Sequence, residues 1–495
     1  GRGGSPGCAW AGRRSSTFMP ALAGTFAQGA LDVGEGDVDG AAHHASLVGA
    51  VGGEVDLGGG AARDLFEEPG VLLARGAEAL SRETLEDFRR ALLADQRSFA
   101  EGLAAVAASL HAEDFTAAGR WVTPPYLPRG FDARFFLAEA RPHHQAEVWP
   151  GELTSGAWVT PAEALARWEA AEALLHPPNL HALRVLADFS TVDDAVARLR
   201  APAHVADFIA ERIEFQRGVM LFPLLTPTLP PATHTNCYLL GTRELLVVDP
   251  GSPDEAEVAR LVRFLRALEP AGYSVKAIVL THHHGDHVGG ARALVEALGA
   301  PVWAHARTAD RAPVPVARLL NDGDELTLEG PLPMRWRVLH TPGHARGHVT
   351  LVDAATGSAV VGDMVAGVGT IVIDPPEGDM AEYLRQLLRL ELLPVRALYP
   401  AHGPVLPYGP GKLQEYQQHR AWREARVHEA LQSFAAGATL EQLVEKAYDD
   451  VAAFVWPIAQ RNTEAIVDKL VAEGRARRSG GTLFAASPGV TAPAG

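Results

Sequence analysis

The sequence predicts a multidomain protein of mixed α/β and α+β class, and three observations support this prediction. The chain has 495 residues, which is enough for about three domains of ordinary size. Short β-branched apolar runs alternate with helical patterns through its middle, which is typical of layered α/β domains. The last part of the chain reads as three helices and a two-stranded hairpin, with Gly480-Gly481 at the hairpin turn.

The domain boundaries are predicted from changes in composition along the chain. Residues 1–200 differ in character from the remainder and form the first predicted domain. In residues 201–213 the helical pattern is broken by Ala201-Pro202-Ala203-His204, and we interpret this stretch as a linker. Residues 214–408 form the second predicted domain and residues 409–495 the third.

Composition narrows the class of protein before any motif is considered. Hydrophobic residues make up 47% of the chain and charged residues 21%, which favours packed globular domains. Only Cys8 and Cys237 are present, in different predicted domains, so we expect no disulfide framework and a cytoplasmic location. No apolar run approaches the roughly 18 residues of a membrane span, so no membrane partner is expected. The chain begins at Gly1, so a targeting segment cannot be judged from it.

The most informative stretch is a His-x-His-x-Asp-His motif in the second predicted domain. An apolar run at residues 275–280 predicts a buried strand before it, and residues 291–299 predict a helix with a Gly stop after it. The motif therefore occupies a strand-to-helix loop, where α/β scaffolds usually hold catalytic groups. Its candidate ligands are His282, His284, Asp286 and His287.

Three later stretches each follow a further apolar run and add His344, Asp363 and His402. Imidazole nitrogens and carboxylate oxygens suit zinc, and also manganese or iron. None of the four stretches contains Cys, so a thiolate-rich structural zinc site is not the model. The set is large enough for two divalent ions about 3.5–4 Å apart. Two such ions could share a hydroxide, and this hydroxide could attack an ester or thioester.

The candidate ligands divide between two ion positions. We assign His282, His284 and His344 to the first ion, Asp286, His287 and His402 to the second, and Asp363 to a bridging position. Asp286 is also the candidate catalytic residue, because it could position its ion and handle a proton. His283 lies between ligands and is expected to face away from the ions. The alternative, a set of solvated loop histidines, does not explain why each stretch follows a strand-like run.

The four stretches, in this order, resemble the metallo-β-lactamase superfamily. This resemblance implies an αβ/βα sandwich over roughly residues 212–408. It also implies that Asp249 lies behind the ligands and orients the metal loop. Asn236 in Asn-Cys-Tyr is similar to the Asn-x-Tyr of that superfamily. The Pro- and Thr-rich residues 223–232 are predicted to form a loop over the metal site.

The C-terminal tail predicts a winged-helix-like unit. Helical patterns cover residues 412–434, 439–448 and 457–473, ahead of the hairpin. Together with His419-Arg420 and Arg423-Glu424, this tail resembles the beta-lactamase-like protein 2 group. The resemblance implies an endoribonuclease that acts on single-stranded RNA.

The substrate stays open between two classes. The wing carries Arg475, Arg477 and Arg478, which could contact phosphates, but exposed arginines are more often only solvated. The net charge of −16 argues against a broad surface for long nucleic acids. A thioesterase of the hydroxyacylglutathione-hydrolase or acyl-CoA type would use the same ligands. Winged helices also serve in dimerisation, so an oligomer is a further expectation.

The first predicted domain contains a second acidic motif. Arg63, Asp64, Glu67 and Glu68 resemble the end of a Nudix box, and at helical spacing the acids can share a face. Such a face could bind Mg²⁺, which in turn binds a diphosphate. The alternative interpretation is an ordinary amphipathic surface helix.

Four sequence segments downstream of the acidic motif support a Nudix-like α/β/α sandwich. They lie at residues 119–125, 131–138, 156–165 and 175–179. In this order they look like the coenzyme A diphosphatase branch of Nudix hydrolases, which implies a CoA or nucleotide ligand at this domain.

The departures from that family pattern put diphosphatase activity in doubt. Residues 27–32 replace the usual Pro-Gly-Gly segment, and a Gly-rich insertion at residues 34–60 follows. Asp64 is one methylene shorter than the usual Glu, and Pro69 is expected to end the helix. The domain is therefore a weak diphosphatase, a module that only binds a nucleotide-like ligand, or a domain that only stabilises the other half of the chain.

Overall fold

The computed structural model describes residues 44–51, 57–122, 132–140, 146, 158–201 and 213–486. The described chain divides into two compact units. The first contains the residues up to Ala201 together with Glu214–Arg217, and the second contains Ile213 and continues from Gly218. Cys8, residues 27–32 and most of the predicted linker lie outside the described residues.

The first unit is built on an antiparallel sheet. Its strands lie in the order β1 (His44–Val51), β3 (Asp132–Ala140) and β2 (Thr116–Val122). Strand β1 lies inside the stretch that we interpreted as an insertion, and it pairs with β3 along its whole length. A strand therefore belongs where the sequence indicated only a Gly-rich segment.

Helices α1 to α6 complete the first unit, at Leu57–Glu67, Arg82–Leu93, Phe99–Ala105, Pro161–Glu169, Pro177–Asp188 and Val192–Arg200. Helix α1 carries the acidic motif and ends two residues before Pro69, since proline cannot donate the next backbone hydrogen bond. The buried Arg89 of α2 donates from its guanidinium to the carbonyl oxygens of Glu67 and Glu68. A cation at this position satisfies the carbonyls at the helix end.

The second unit contains two sheets, preceded along the chain by strand β4 (Ile213–Gln216). In the first sheet β5 lies beside β6, and β7 to β10 follow in order; they are Val219–Leu225, His234–Leu240, Glu244–Val248, Ser274–Leu280, Val302–Ala304 and Arg318–Leu319. The second sheet runs from β11 to β15, which are Glu325–Leu328, Met334–His340, Val349–Asp353, Ser358–Gly362 and Ala397–Pro400.

Each sheet has its own helices, so the predicted αβ/βα layering is confirmed. The helices α7 to α11 are Glu255–Leu268, Gly285–Val288, Ala291–Leu298, Ala306–Ala309 and Met380–Glu391. Helices α7 and α9 share a core with the first sheet, and α11 shares another with the second sheet. The loop predicted to begin at Pro223 begins later, because Pro223 lies within β5 opposite Asn236.

The tail forms the predicted three helices and hairpin. Its elements are α12 (Gly409–Gln432), α13 (Leu440–Ala447), α14 (Trp456–Ala472), β16 (Ala476–Ser479) and β17 (Thr482–Ala485). Its buried side chains continue the apolar core of the second sheet without a break, for example from Leu398 through Leu413 to Leu470. In the part of the chain that the structure describes, no helix is both long and apolar enough to cross a bilayer.

This shared core makes the tail a structural part of the second unit. We expect Leu470→Ala, which truncates a side chain with 0% exposure, to lower the unfolding free energy of that unit by about 2–5 kcal/mol. Leu392→Ala is the matched control, because Leu392 is 77% exposed and its loss should change stability by less than about 0.5 kcal/mol. Urea denaturation measures both; equal effects would contradict a continuous core.

Candidate metal centre

The motif loop and the loop after β12 bring three imidazoles to one point. Strand β8 ends at Leu280, the ligands follow at once, and α8 begins at Gly285. The Nδ1 atom of His284 lies 3.0 Å from Nε2 of His282 and 2.9 Å from Nε2 of His344. These three nitrogens form the group that we assigned to the first ion.

A second group lies beside the first. The Nε2 atom of His402 lies 3.4 Å from one carboxylate oxygen of Asp286, and Nε2 of His287 lies 3.9 Å from the other. These are the side chains that we assigned to the second ion, and their donor atoms all lie within 4.8 Å of one another.

Asp363 lies between the two groups. One of its carboxylate oxygens is 3.6 Å from His287 Nε2 and 3.5 Å from His402 Nε2, and the other is 3.4 Å from His344 Nε2. One carboxylate therefore faces ligands of both positions, as a bridging ligand must. The structure brings all seven predicted side chains into one largely buried cluster, although the predicted ligands are up to 120 residues apart in sequence.

Two buried atoms of this cluster test whether metal ions fit it. His287 Nε2 and Asp363 Oδ1 are inaccessible to solvent and have no hydrogen-bond partner among the described residues. Burying such atoms without a partner is costly, typically by about 1–3 kcal/mol for each group. Both atoms are metal-ligand types and both face the centre of the cluster, so bound divalent ions would satisfy them.

Hydrogen bonds on the far side of the rings fix which nitrogen faces the centre. In His287, His344 and His402 the Nδ1 atom is engaged, which leaves Nε2 for an ion. The partners are Asp249 Oδ2 at 2.8 Å, the carbonyl oxygen of Val372 at 2.7 Å and that of His234 at 3.0 Å. The loop that carries His402 is held in turn by Asn236, whose side-chain amide donates to the carbonyls of Pro400 and Gly403.

Asp249 lies where the resemblance placed it, behind the metal loop. It follows β7 directly, with a φ of 53°, and its side chain is almost fully buried. Its carboxylate accepts hydrogen bonds from the backbone amide of Thr281 at 2.7 Å and from the Thr281 hydroxyl at 2.6 Å. With the bond from His287, one carboxylate joins the ends of β7 and β8 to a ligand.

His348 is a functional residue that sequence reasoning missed. It is completely buried, and its Nε2 accepts a hydrogen bond from the backbone amide of Asp363 at 3.0 Å. On its other side Nδ1 lies 2.9 Å from the hydroxyl of Thr341. It thereby holds the segment of the bridging carboxylate. The available signal was the Gly-His pair at Gly347-His348, which also occurs at His344 but here precedes an apolar run instead of following one.

Burial and neighbouring charges set the protonation of the cluster. Burial lowers the pKa of His282 well below its usual value and that of His284 to about 3, so both rings are neutral and able to bind metal. Burial alone would raise the pKa of Asp363, but nearby histidines outweigh it and hold the carboxyl ionised. Burial would lower the pKa of His287, but Asp363, Asp249 and Asp286 raise it well above its usual value. A divalent ion would compete with that proton.

Two other predicted features lie outside this centre. His283 faces away from the ions as expected, with its Nε2 atom 2.9 Å from Arg311. In α1, the guanidinium of Arg63 pairs with Asp64 at 3.2 Å and with Glu67 at 3.5 Å. Among the described residues, the α1 acids form no group of three potential ligands. Magnesium binding at α1, including Glu68, therefore stays a prediction.

The arginines of the wing face acidic partners. Arg475 pairs with Glu424 at 2.5 Å and with Glu473 at 3.0 Å. Arg478 pairs with Asp468 at 2.8 Å, and Arg477 lies over the ring of Phe484 at 4.0 Å. Most of the positive charge predicted for phosphate contact is thus neutralised within the tail.

Comparison with protein families gives three matches along the chain. Residues 230–402 match the model of the metallo-beta-lactamase superfamily, residues 38–186 match that of the NUDT19 Nudix domain, and residues 439–483 match that of the beta-lactamase associated winged helix domain. The three matches follow the order of the predicted domains.

Individual relatives cover about half of the chain. A beta-lactamase-like protein 2 homolog of Drosophila melanogaster is 31% identical over 51% of this chain and 87% of its own length. The atrochrysone carboxyl ACP thioesterase of Passalora fulva is 30% identical over 43% of this chain and 63% of its own length. A solved metallo-beta-lactamase family protein from Thermus thermophilus is 25% identical, covers 55% of this chain and all of that chain, and gives a TM-score of 0.46.

The cluster predicts a defined metal content. We expect purified protein to hold about two divalent ions per chain, and His402→Ala to lose about one of them because the second position loses a ligand. His283→Ala is the matched control, since this ring lies between ligands but faces Arg311. Elemental analysis by mass spectrometry measures both; a His402→Ala protein with full metal content would contradict the assignment.

The raised pKa of His287 predicts that metal affinity depends on pH. An ion at the second position must displace the proton held by His287. If one proton is displaced per ion, metal affinity at this position should fall about tenfold when the pH is lowered by one unit. Competition with a chelator of known affinity, between pH 8 and pH 6, measures this dependence. An affinity that stays constant over that range would show that no proton is displaced.

Proposed function

Because the chain belongs to the metallo-beta-lactamase superfamily, a family of hydrolases, we propose that it hydrolyses small acyl thioesters at this metal centre. A metallo-β-lactamase fold lies at its centre in sequence, after a Nudix domain and before a winged helix, as predicted. The observation that supports a thioester over RNA is the acidic pairing of the wing, which leaves little free positive charge for a phosphate backbone.

The chain's own residues perform three tasks in this proposal. The histidines and Asp363 would hold two divalent ions, and Asp249 and His348 keep their ligands in place. Bound ions of this type supply a water of lowered pKa and polarise the scissile carbonyl. Asp286, whose side chain is 18% exposed against 10% for Asp363, is placed to take the water's proton and pass it to the leaving thiolate.

Two further lines support a small thioester substrate. The net charge of −16 disfavours a long polyanion, and one of the relatives above bears the name of an ACP thioesterase. Single-stranded RNA stays the alternative substrate, and the same experiment decides between them. Zinc is the expected metal for a centre with five imidazoles, with manganese or iron as alternatives.

For the Nudix domain we propose ligand binding rather than efficient diphosphatase chemistry. The observation that favours this is the pairing of Arg63 with Asp64 and Glu67, which occupies two of the acids that would hold magnesium. A nucleotide or CoA-like molecule is the proposed ligand.

The thioesterase proposal predicts the substrate and the variant that loses it. We expect the wild-type protein to cleave an acyl thioester and not a labelled single-stranded RNA, and His284→Ala to lower thioester turnover by at least about a hundredfold. His111→Ala is the control, because this half-buried histidine lies in the other unit. RNA cleavage that is lost in His284→Ala would overturn the proposal in favour of the endoribonuclease.

The Nudix proposal predicts a negative result at the acidic helix. We expect no diphosphatase rate above background with magnesium and a CoA or nucleoside diphosphate substrate, for the wild type and for Glu67→Gln alike. A measurable rate in the wild type that Glu67→Gln abolishes would show that α1 is catalytic. Chromatographic separation of the two organic monophosphates that diphosphate cleavage produces, in protein with an intact metal centre, provides the assay.

A further inference from the structure

An exposed arginine is held beside the metal loop by two neighbours. The Nη1 atom of Arg311 lies 2.9 Å from Nε2 of His283 and 3.1 Å from a carboxylate oxygen of Glu377. His283 lies between two metal ligands in sequence, and its ring centre is 4.9 Å from that of His284. Two imidazole rings, those of His283 and His284, therefore lie between the guanidinium and the first ion position.

Both of these contacts use the same terminal nitrogen of Arg311. Arginine offers five N–H donors, and its Nε and second terminal nitrogen form the fork that matches a carboxylate or a phosphate. The side chain of Arg311 is 55% exposed, whereas that of Glu377 is only 22% exposed. The arginine is thus anchored at one corner, while no described residue bonds to its Nε–Nη2 edge.

Glu377 also ties this arginine to the loop of another ligand. Its second carboxylate oxygen accepts from the backbone amide of Arg346 at 3.1 Å, two residues after His344. The Arg346 guanidinium donates to the carbonyl oxygen of Pro376 at 2.7 Å. Two cationic side chains therefore border the ligand loops on this side, in a chain whose overall charge is −16.

We propose that Arg311, fixed by His283 and Glu377, is a specificity-determining residue that binds an anionic group on the thiol portion of the substrate. This inference rests on the thioesterase proposal above and names its substrate class. The anion is a carboxylate or a phosphate, since both present two oxygens to the fork. Because His283 and Glu377 already hold the arginine side chain, it loses less conformational entropy when the ligand binds. It also gives a role to His283, which no metal assignment explains.

Three acetyl thioesters test this inference, because they share the reacting group and their thiol portions carry different charges. Acetyl-CoA carries phosphates, S-acetylglutathione carries carboxylates, and S-acetyl-N-acetylcysteamine is neutral. We expect Arg311→Ala to raise KM for one of the charged substrates by roughly tenfold to a hundredfold, the loss of a charge-assisted contact, with kcat changed less than about twofold. The neutral substrate should keep its KM. If the KM for acetyl-CoA rises, the bound anion is a phosphate; if the KM for S-acetylglutathione rises, it is a carboxylate.

Further variants separate the contribution of the two-nitrogen fork of Arg311 from that of its positive charge. Arg311→Lys keeps the cation but loses the fork, so we expect an intermediate KM. Glu377→Gln weakens the anchor and should raise the same KM by a smaller factor. Arg335→Ala is the matched control, because Arg335 is 68% exposed and pairs with Glu325 at the edge strand β11. Equal KM changes for charged and neutral substrates, or no change for any of them, would overturn the proposal.

A binding measurement keeps this inference separate from the proposed activity. S-methyl-CoA and S-methylglutathione carry the same anions but can be neither hydrolysed nor bound to metal as thiolates. Calorimetry should show that Arg311→Ala weakens binding of one of them, even if the wild type cleaves no thioester. Cleavage of thioesters without any Arg311-dependent binding would leave the proposed function intact and refute the anion site.

Discussion

The metal centre depends on one carboxylate that joins strand ends to a ligand. Asp249 accepts from the backbone and hydroxyl of Thr281 and from the ring of His287, so it fixes the start of the metal loop and one ligand together. Since this carboxylate is buried, losing the Thr281 amide would leave Oδ1 without its hydrogen bond, which typically costs more than the bond itself contributes. The positive φ of Asp249 aims its side chain under the loop, and the rest of the centre is built on that support.

From this support the cluster extends through contacts between distant segments. His348 holds the amide of Asp363, Asn236 holds the loop of His402, and the carbonyl of Val372 orients His344. Each contact restrains a side chain that faces the ions, so the ligands are arranged before any metal arrives. His287 Nε2 and Asp363 Oδ1, which have no hydrogen-bond partner among the described residues, lie at the centre of this arrangement, where divalent ions would supply the missing interaction.

The tail contributes to this centre through packing and backbone support rather than through charge. Arg420 of α12 donates to the carbonyl of Ile371, and the side-chain oxygen of Asn462 in α14 accepts from the amide of Ile373. Both bonds hold the segment that carries Val372, the partner of His344. The arginine pattern that we used to recognise the tail is therefore buried structure in part, and the acids around the wing explain why its charge is not free.

The sequence by itself determined the layered fold class, the helices and hairpin of the tail, and the candidate ligands, because strand periodicity and closely spaced His and Asp residues are local signals. Only the tertiary structure decided what those residues touch. It paired the wing arginines with acids, joined Arg63 to Asp64 and Glu67, and placed His348 behind Asp363. It also turned His283 toward Arg311. Most of these contacts join side chains from separate elements, and the spacing of residues along a chain carries no record of which elements meet.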